Sequence, residues 1–60
     1  MHTTDLVRYL TDTAGDLIAF AEAAAPGTAQ AYLDEADELL TLGAAILARH
    51  TASIETREAA

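Results

Sequence analysis

The stretch LDEADELLTLGAAILAR, residues 33–49, decides the fold that we predict for this chain. Apolar or small residues recur in it at spacings of three and four, which is typical of one face of a helix. These residues are Leu33, Ala36, Leu40, Gly43 and Leu47. Acids occupy the other faces of its first half, whereas residues 42–48 carry no charge. A helix that is apolar on nearly every side needs several neighbours, so the stretch predicts an oligomeric helical assembly.

The length of the chain points to self-association as well. Its 60 residues make one small domain, and below roughly 70–80 residues a single core rarely supplies more than about 3–5 kcal/mol. Such chains usually add disulfides, a metal or self-association. Because the chain has no cysteine and only two histidines, we predict a homo-oligomer with little stable monomer.

The formal net charge of −7 excludes several classes of partner. Binding to a nucleic-acid backbone or to anionic lipid requires a basic surface, and the chain has ten acids, three arginines and no lysine. We therefore expect no nucleic-acid partner and no membrane partner. The first residues lack the basic and apolar regions of a signal peptide, so we expect a cytoplasmic protein.

Helix 1 is predicted at about residues 4–25, with Thr3 or Thr4 as its N-cap and Asp5 in its first turn. Gly15 costs about 1 kcal/mol in a helix interior compared with alanine. The apolar stripe nevertheless continues across it, which favours one helix over a turn at this point. The stripe comprises Leu6, Leu10, Thr13, Leu17, Phe20 and Ala24.

Pro26-Gly27-Thr28 is the predicted turn. The residue before a proline is pushed away from the α region, Gly27 permits a reversal, and Thr28 can cap helix 2. We predict helix 2 at about residues 29–50, followed by a tail, residues 51–60, that either continues the helix or frays. The whole chain, residues 1–60, is then a single all-α domain, an antiparallel two-helix hairpin.

In this hairpin, residues whose numbers add up to about 53 face each other. Large side chains then oppose small ones at several levels, which allows the helices to approach closely. The predicted pairs are Leu6 with Leu47, Leu10 with Gly43, Thr13 with Leu40, Leu17 with Ala36, and Phe20 with Leu33.

The acids offer no recognisable catalytic arrangement. Asp34, Asp37 and Glu38 share a face, but the Glu-x-x-His pair of helical di-iron sites is absent. A nucleophile with an adjacent base is also missing from the sequence pattern. We predict that the protein is not an enzyme and holds no metal or cofactor.

The open end of the hairpin, away from Pro26, gathers groups that could bind an anion. Arginine forks, a helix N-terminus and an aromatic ring suit a phosphate-bearing nucleotide. His2 and Thr3 lie there too, and our candidate ligand residues are Thr4, Arg8, Tyr9, Arg49 and His50. Two alternatives stay open, namely that the arginines pair with neighbouring acids and that His50 closes the end of the core or senses pH.

The segment from Pro26 to His50 resembles the helical hairpin of small phage-encoded immune-evasion proteins. The likeness is carried by the Pro26-Gly27-Thr28 turn, by Leu33-Asp34-Glu35-Ala36 and by the Ala-Ala-Ile-Leu-Ala-Arg run at residues 44–49. Members of that family are oligomers that sequester the cyclic-nucleotide signals of bacterial anti-phage systems. The resemblance implies a non-enzymatic sponge for a nucleotide signal in the cytoplasm of a bacterial host.

Three functions remain open on the sequence alone. The first is an oligomeric, ligand-sequestering protein, and the second is an acidic adaptor or inhibitor whose residues 34–38 dock on a basic partner. The third is a purely structural oligomerisation hairpin.

Overall fold

Two antiparallel α-helices form the part of the chain that the structure describes. The computed structural model describes the backbone of residues 2–59 and the side chains of residues 2–57. Helix α1 spans Thr3–Ala23 and helix α2 spans Pro26–Ala59. The all-α class and the helical hairpin are therefore confirmed, while self-association stays a prediction.

The start of α1 differs from the prediction by one residue. The N-cap is His2, in extended conformation and without a side-chain capping bond. The Leu6 N–H donates to the His2 carbonyl, 3.0 Å away, so Thr3 and Thr4 are already helical. Asp5 lies in the first turn as predicted, and its charge suits the positive end of the helix dipole.

The connection between the helices is shorter and earlier than the predicted turn at residues 26–28. Ala24 is extended, and α2 begins at Pro26, with the Ala29 N–H donating to the Ala25 carbonyl over 2.7 Å. Proline suits the first helical position because its φ is already helical and its missing N–H would have no partner there. Residues 24–25 therefore connect the helices, and Thr28 lies inside α2.

Helix α2 is much longer than α1 and continues through most of the predicted tail. Its 34 residues run to Ala59, which selects helix continuation for residues 51–59, and residue 60 lies outside the described chain. Because α1 begins near His50 of α2, the last turns of α2 project beyond the hairpin. Their side chains at residues 51–57 are all exposed, and the Cα atoms extend over 53 × 17 × 12 Å.

Buried and half-buried side chains define the seam between α1 and α2. On each helix they alternate at spacings of three and four, which is the heptad pattern of a coiled coil. On α1 this row consists of Thr3, Val7, Leu10, Ala14, Leu17 and Ala21, and Ala24 continues it directly after the helix; Leu6 and Thr13, which are also half-buried, border the row. On α2 they are Ala29, Tyr32, Ala36, Leu39, Gly43, Ile46 and His50. We refer to these residues as the seam.

Helix α2 is rotated relative to the prediction. Leu33, Leu40 and Leu47 were expected on the seam, but they are 42 %, 42 % and 47 % exposed. The residues directly before them, Tyr32, Leu39 and Ile46, take those places. The predicted stripe shared Ala36 and Gly43 with the true seam, so the two stripes could not be separated by periodicity.

The buried alanines of α1 explain this rotation. Ala14 and Ala21 are buried, and in the register of the hairpin they lie level with Leu39 and Tyr32. A large side chain on α2 therefore packs against a small residue on α1, which lets the helices approach. Phe20, also expected on the seam, is exposed, and its ring centroid lies 6.0 Å from that of Tyr32.

Gly15→Ala should stabilise the protein. Helix α1 is unbroken at Gly15, as predicted. Gly15 is exposed, and a Cβ at this position would meet nothing within 4 Å. Alanine should raise the free energy of unfolding by about 1 kcal/mol through helix propensity alone. Thermal denaturation should show a melting temperature higher by about 4–8 °C. Ala19→Gly, at an exposed site of the same helix, is the matched opposite, and a lower melting temperature for Gly15→Ala would contradict the prediction.

Candidate functional site

A shallow depression lies at the open end of the hairpin. It encloses about 350 Å³ and is lined by Thr3, Ile46, Arg49 and His50. Thr3 is the first residue of α1, and the other three belong to one turn of α2. The depression therefore exists because α1 begins at this level while α2 continues past it.

The register of α2 brings three kinds of side chain to this place. Ile46 and His50 are successive seam residues, four positions apart, and both are half-buried. Arg49 precedes His50 at the edge of the seam and is exposed. The lining thus combines a guanidinium with five N–H donors, an imidazole, a hydroxyl and an apolar side chain.

The first turn of α1 contributes a mixed electrostatic environment. The first N–H groups of a helix have no partner within it, and they carry the positive end of its dipole. Asp5 lies in the same turn and brings a negative charge. Binding of an anion at the depression would therefore depend chiefly on Arg49, because its guanidinium is always charged and the other lining residues are Thr3, Ile46 and His50.

The structure brings together only part of the predicted ligand set. Arg49 and His50 line the depression, whereas Thr4, Arg8 and Tyr9 do not. Arg8 and Tyr9 stand between the seam residues Val7 and Leu10, so they lie on the outer face of α1, where Tyr9 is 62 % exposed. Their ligand role stays a prediction that would require a neighbouring hairpin.

Two lining residues were not among the predicted ligands. Thr3 was placed at the open end by the sequence without being chosen as a ligand. Ile46 was missed because the predicted stripe on α2 was displaced by one residue. The alternation of Ile46 with His50 at a spacing of four was the signal that could have found it.

The acids of α2 form a separate surface. Asp34, Glu35, Asp37 and Glu38 are all exposed, and the Gln30 side-chain amide donates to the Asp34 carboxylate over 2.8 Å. Within the described residues, no group of three or more His, Cys, Asp or Glu is arranged to hold a metal ion. These acids therefore form a solvated patch in the single hairpin.

A row of exposed apolar residues follows α2 on a face different from the seam. Leu33, Leu40, Leu47 and Ile54 are each 40–47 % exposed, and they recur every seven residues. We call these four residues the leucine stripe. Single exposed leucines are common, but a regular row of them marks an interaction surface.

No known protein family, curated protein or solved structure matches the chain. The resemblance to phage immune-evasion hairpins therefore stays a prediction. No helix in the described residues is long and apolar enough to cross a membrane.

Proposed function

We propose that the protein is a non-enzymatic homo-oligomer that sequesters a phosphate-bearing nucleotide at the open end of its hairpins. The observation that supports the ligand class is the convergence of Thr3, Arg49 and His50 on one depression. An arginine fork recognises phosphate oxygens through two parallel N–H bonds. The imidazole and the hydroxyl add further polar contacts, and Ile46 offers an apolar contact for a base or a sugar.

The distribution of apolar side chains supports the homo-oligomer. Among the side chains that the structure describes, only four apolar ones are buried, and three of these are alanines, Leu10 being the exception. Eight large apolar side chains are exposed among the described residues. So small a core is marginal for an independent domain, and further association would bury the exposed side chains.

The resemblance to phage immune-evasion hairpins supports sequestration over transport or catalysis. A sponge must share a compartment with the signal that it removes, so the proposal includes a location in the bacterial cytoplasm. An excess of acidic residues keeps such a protein apart from nucleic acids, which present the same phosphate groups at high concentration.

Titration calorimetry on the native protein tests the proposal. We expect heat of binding with at least one member of a panel of cyclic and ADP-ribose-derived nucleotides, at a protein concentration of about 50 µM. A micromolar Kd corresponds to roughly −8 kcal/mol, and binding of that strength is readily measured at this concentration. Inorganic phosphate is the control for unspecific anion binding. Absence of heat with every nucleotide would overturn the proposed ligand class.

The second candidate is an acidic adaptor, and the exposure of all four acids at residues 34–38 supports it. Such a surface would dock on a basic protein partner, with electrostatic steering as its main contribution. We prefer the nucleotide ligand because Arg49 and His50 converge on one depression, whereas the acids at residues 34–38 form an exposed patch.

A further inference from the structure

We propose that a second copy of this chain packs on the leucine stripe, with α2 antiparallel to α2 of the other copy and the two-fold axis near residues 43–44. The inference rests on the homo-oligomeric part of the proposed function and adds the face and the direction of packing. It is independent of the nucleotide.

The spacing of the leucine stripe fits helix-on-helix packing. A repeat of seven keeps side chains on one line of a supercoiled helix. Leu33, Leu40 and Leu47 each follow a seam residue by one position, and Ile54 continues the same repeat. The stripe therefore lies about 100° around α2 from the seam. Leu33 and Ile54 are 21 residues apart, which gives a row about 32 Å long.

Helix α1 adds to the same side of the hairpin. An antiparallel helix pair has an approximate two-fold axis perpendicular to the plane that contains both helix axes. Residues at equivalent heptad positions of the two helices therefore lie on the same side of the hairpin. Ile18 follows the seam residue Leu17 as Leu33 follows Tyr32, and it too is exposed. The second copy therefore meets a face with contributions from both helices.

The charge pattern selects the register. Residues 39–48 form the uncharged centre of α2, and the midpoint of this segment lies between residues 43 and 44. The midpoint of the leucine stripe is at the same place. Antiparallel packing about this point makes Leu33 level with Ile54 of the other copy and Leu40 level with Leu47. Ala44 lies next to the axis, and its small side chain allows close approach.

The acids select the direction. Asp37 lies between Leu33 and Leu40 at spacings of four and three, so it belongs to the stripe face. Parallel packing would place Asp37 and its neighbour Asp34 beside the same acids of the other copy, and like charges in contact oppose association. Antiparallel packing places Asp37 level with His50 of the other copy instead, in the part of α2 that is rich in alanine.

This arrangement leaves the depression at the open end accessible. Arg49 follows Leu47 by two positions, which is about 200° around the helix. It therefore faces away from the second copy. The dimer would carry two separate depressions, one toward each end, so loss of the dimer and loss of ligand binding can be measured independently.

Leu40→Gln and Leu42→Gln provide a matched pair for the test. Both leucines are exposed on α2, but only Leu40 belongs to the leucine stripe. Since each substitution occurs twice in a dimer, Leu40→Gln should weaken dimerisation at least about 100-fold, whereas Leu42→Gln should change it less than about threefold. Sedimentation velocity over a dilution series measures both, and circular dichroism at high concentration checks helicity.

The direction of packing is tested with spin labels, which the cysteine-free sequence permits without background. Thr56 is exposed and away from the stripe face. In Thr56→Cys, two labels should lie about 40 Å apart in the antiparallel dimer and within about 25 Å in a parallel one. Ala45→Cys, close to the axis, should give a short distance in both.

The possible outcomes separate the claims. A dimer that is insensitive to Leu40→Gln, or a short Thr56 distance, would overturn this inference while leaving the proposed function intact. A native protein that sediments as a folded monomer at micromolar concentration would overturn both this inference and the homo-oligomer. Calorimetry with nucleotides decides the ligand in either case. If Leu40→Gln fails to fold, the Thr56 distance in the otherwise native chain still decides the packing.

Discussion

Gly43→Leu should lower the free energy of unfolding by about 1–3 kcal/mol, although leucine has the better helix propensity. Gly43 is buried on the seam, and a Cβ built on it would lie 3.9 Å from the Cβ of Leu10. The remaining three carbons of a leucine would have to occupy space that Leu10 already fills. For a chain whose core supplies about 3–5 kcal/mol, this is a large fraction of the stability.

Gly43→Ala is the matched control and should have the opposite effect. Its Cβ would make an ordinary van der Waals contact with Leu10, so the alanine gains up to about 1 kcal/mol of helix propensity without overpacking. Urea denaturation at equal protein concentrations measures both variants, because self-association would make stability depend on concentration. A Gly43→Leu protein that is more stable than the parent would show that α1 and α2 are not closely packed at this level.

The hairpin could be predicted from the sequence because its determinants are local. Pro26 ends one helical pattern and begins another, and a short connection makes the two helices antiparallel neighbours. The level of each residue along the hairpin then follows by counting, which is why Leu10 and Gly43 were correctly paired.

The rotation of α2 about its own axis could not be predicted in the same way. Helix α2 has two apolar stripes that share Ala36 and Gly43, one through Tyr32, Leu39 and Ile46 and the other through Leu33 and its successors. Both satisfy helical periodicity, and only packing against the alanines of α1 distinguishes them. Two apolar stripes on one helix are also what a helix with two partners requires.

For the candidate site, too, the level of its residues along the hairpin could be predicted, whereas their direction around the helix could not. Counting placed Arg49, His50, Arg8 and Tyr9 at one end of the hairpin, and the structure keeps them near that end. It does not place them on one side, because Arg8 and Tyr9 follow the seam residue Val7 by one and two positions and so face outward. The direction in which Arg8 and Tyr9 point depends on which residues form the seam. The sequence defines those residues less well than it defines the position of each residue along the hairpin.

Arg49→Ala should reduce nucleotide affinity by at least about 100-fold while helicity and oligomeric state remain unchanged. Truncation removes charge-assisted hydrogen bonds worth about 1.5–3 kcal/mol each. Neither Thr3 nor His50 can replace the guanidinium fork. Arg57→Ala is the matched control, since Arg57 is exposed on the projecting part of α2. It removes the same charge from the chain without touching the depression.

Arg8→Ala then tests whether the site is built from one hairpin or from two. It should change the affinity little if the depression of a single hairpin binds the ligand, because Arg8 lies on the outer face of α1. A loss as large as that of Arg49→Ala would mean that a neighbouring copy brings Arg8 to the ligand.

The acidic surface separates the nucleotide hypothesis from the adaptor hypothesis. The double variant Asp34→Asn with Glu38→Gln removes two exposed acids, so nucleotide affinity should stay the same or rise slightly as repulsion of the anion falls. An adaptor would instead lose its basic partner in this double variant and keep it in Arg49→Ala. Titration calorimetry on both variants decides, because the two functions predict opposite patterns. Equal loss of nucleotide binding in Arg49→Ala and Arg57→Ala would show that net charge, and not the depression, binds the ligand.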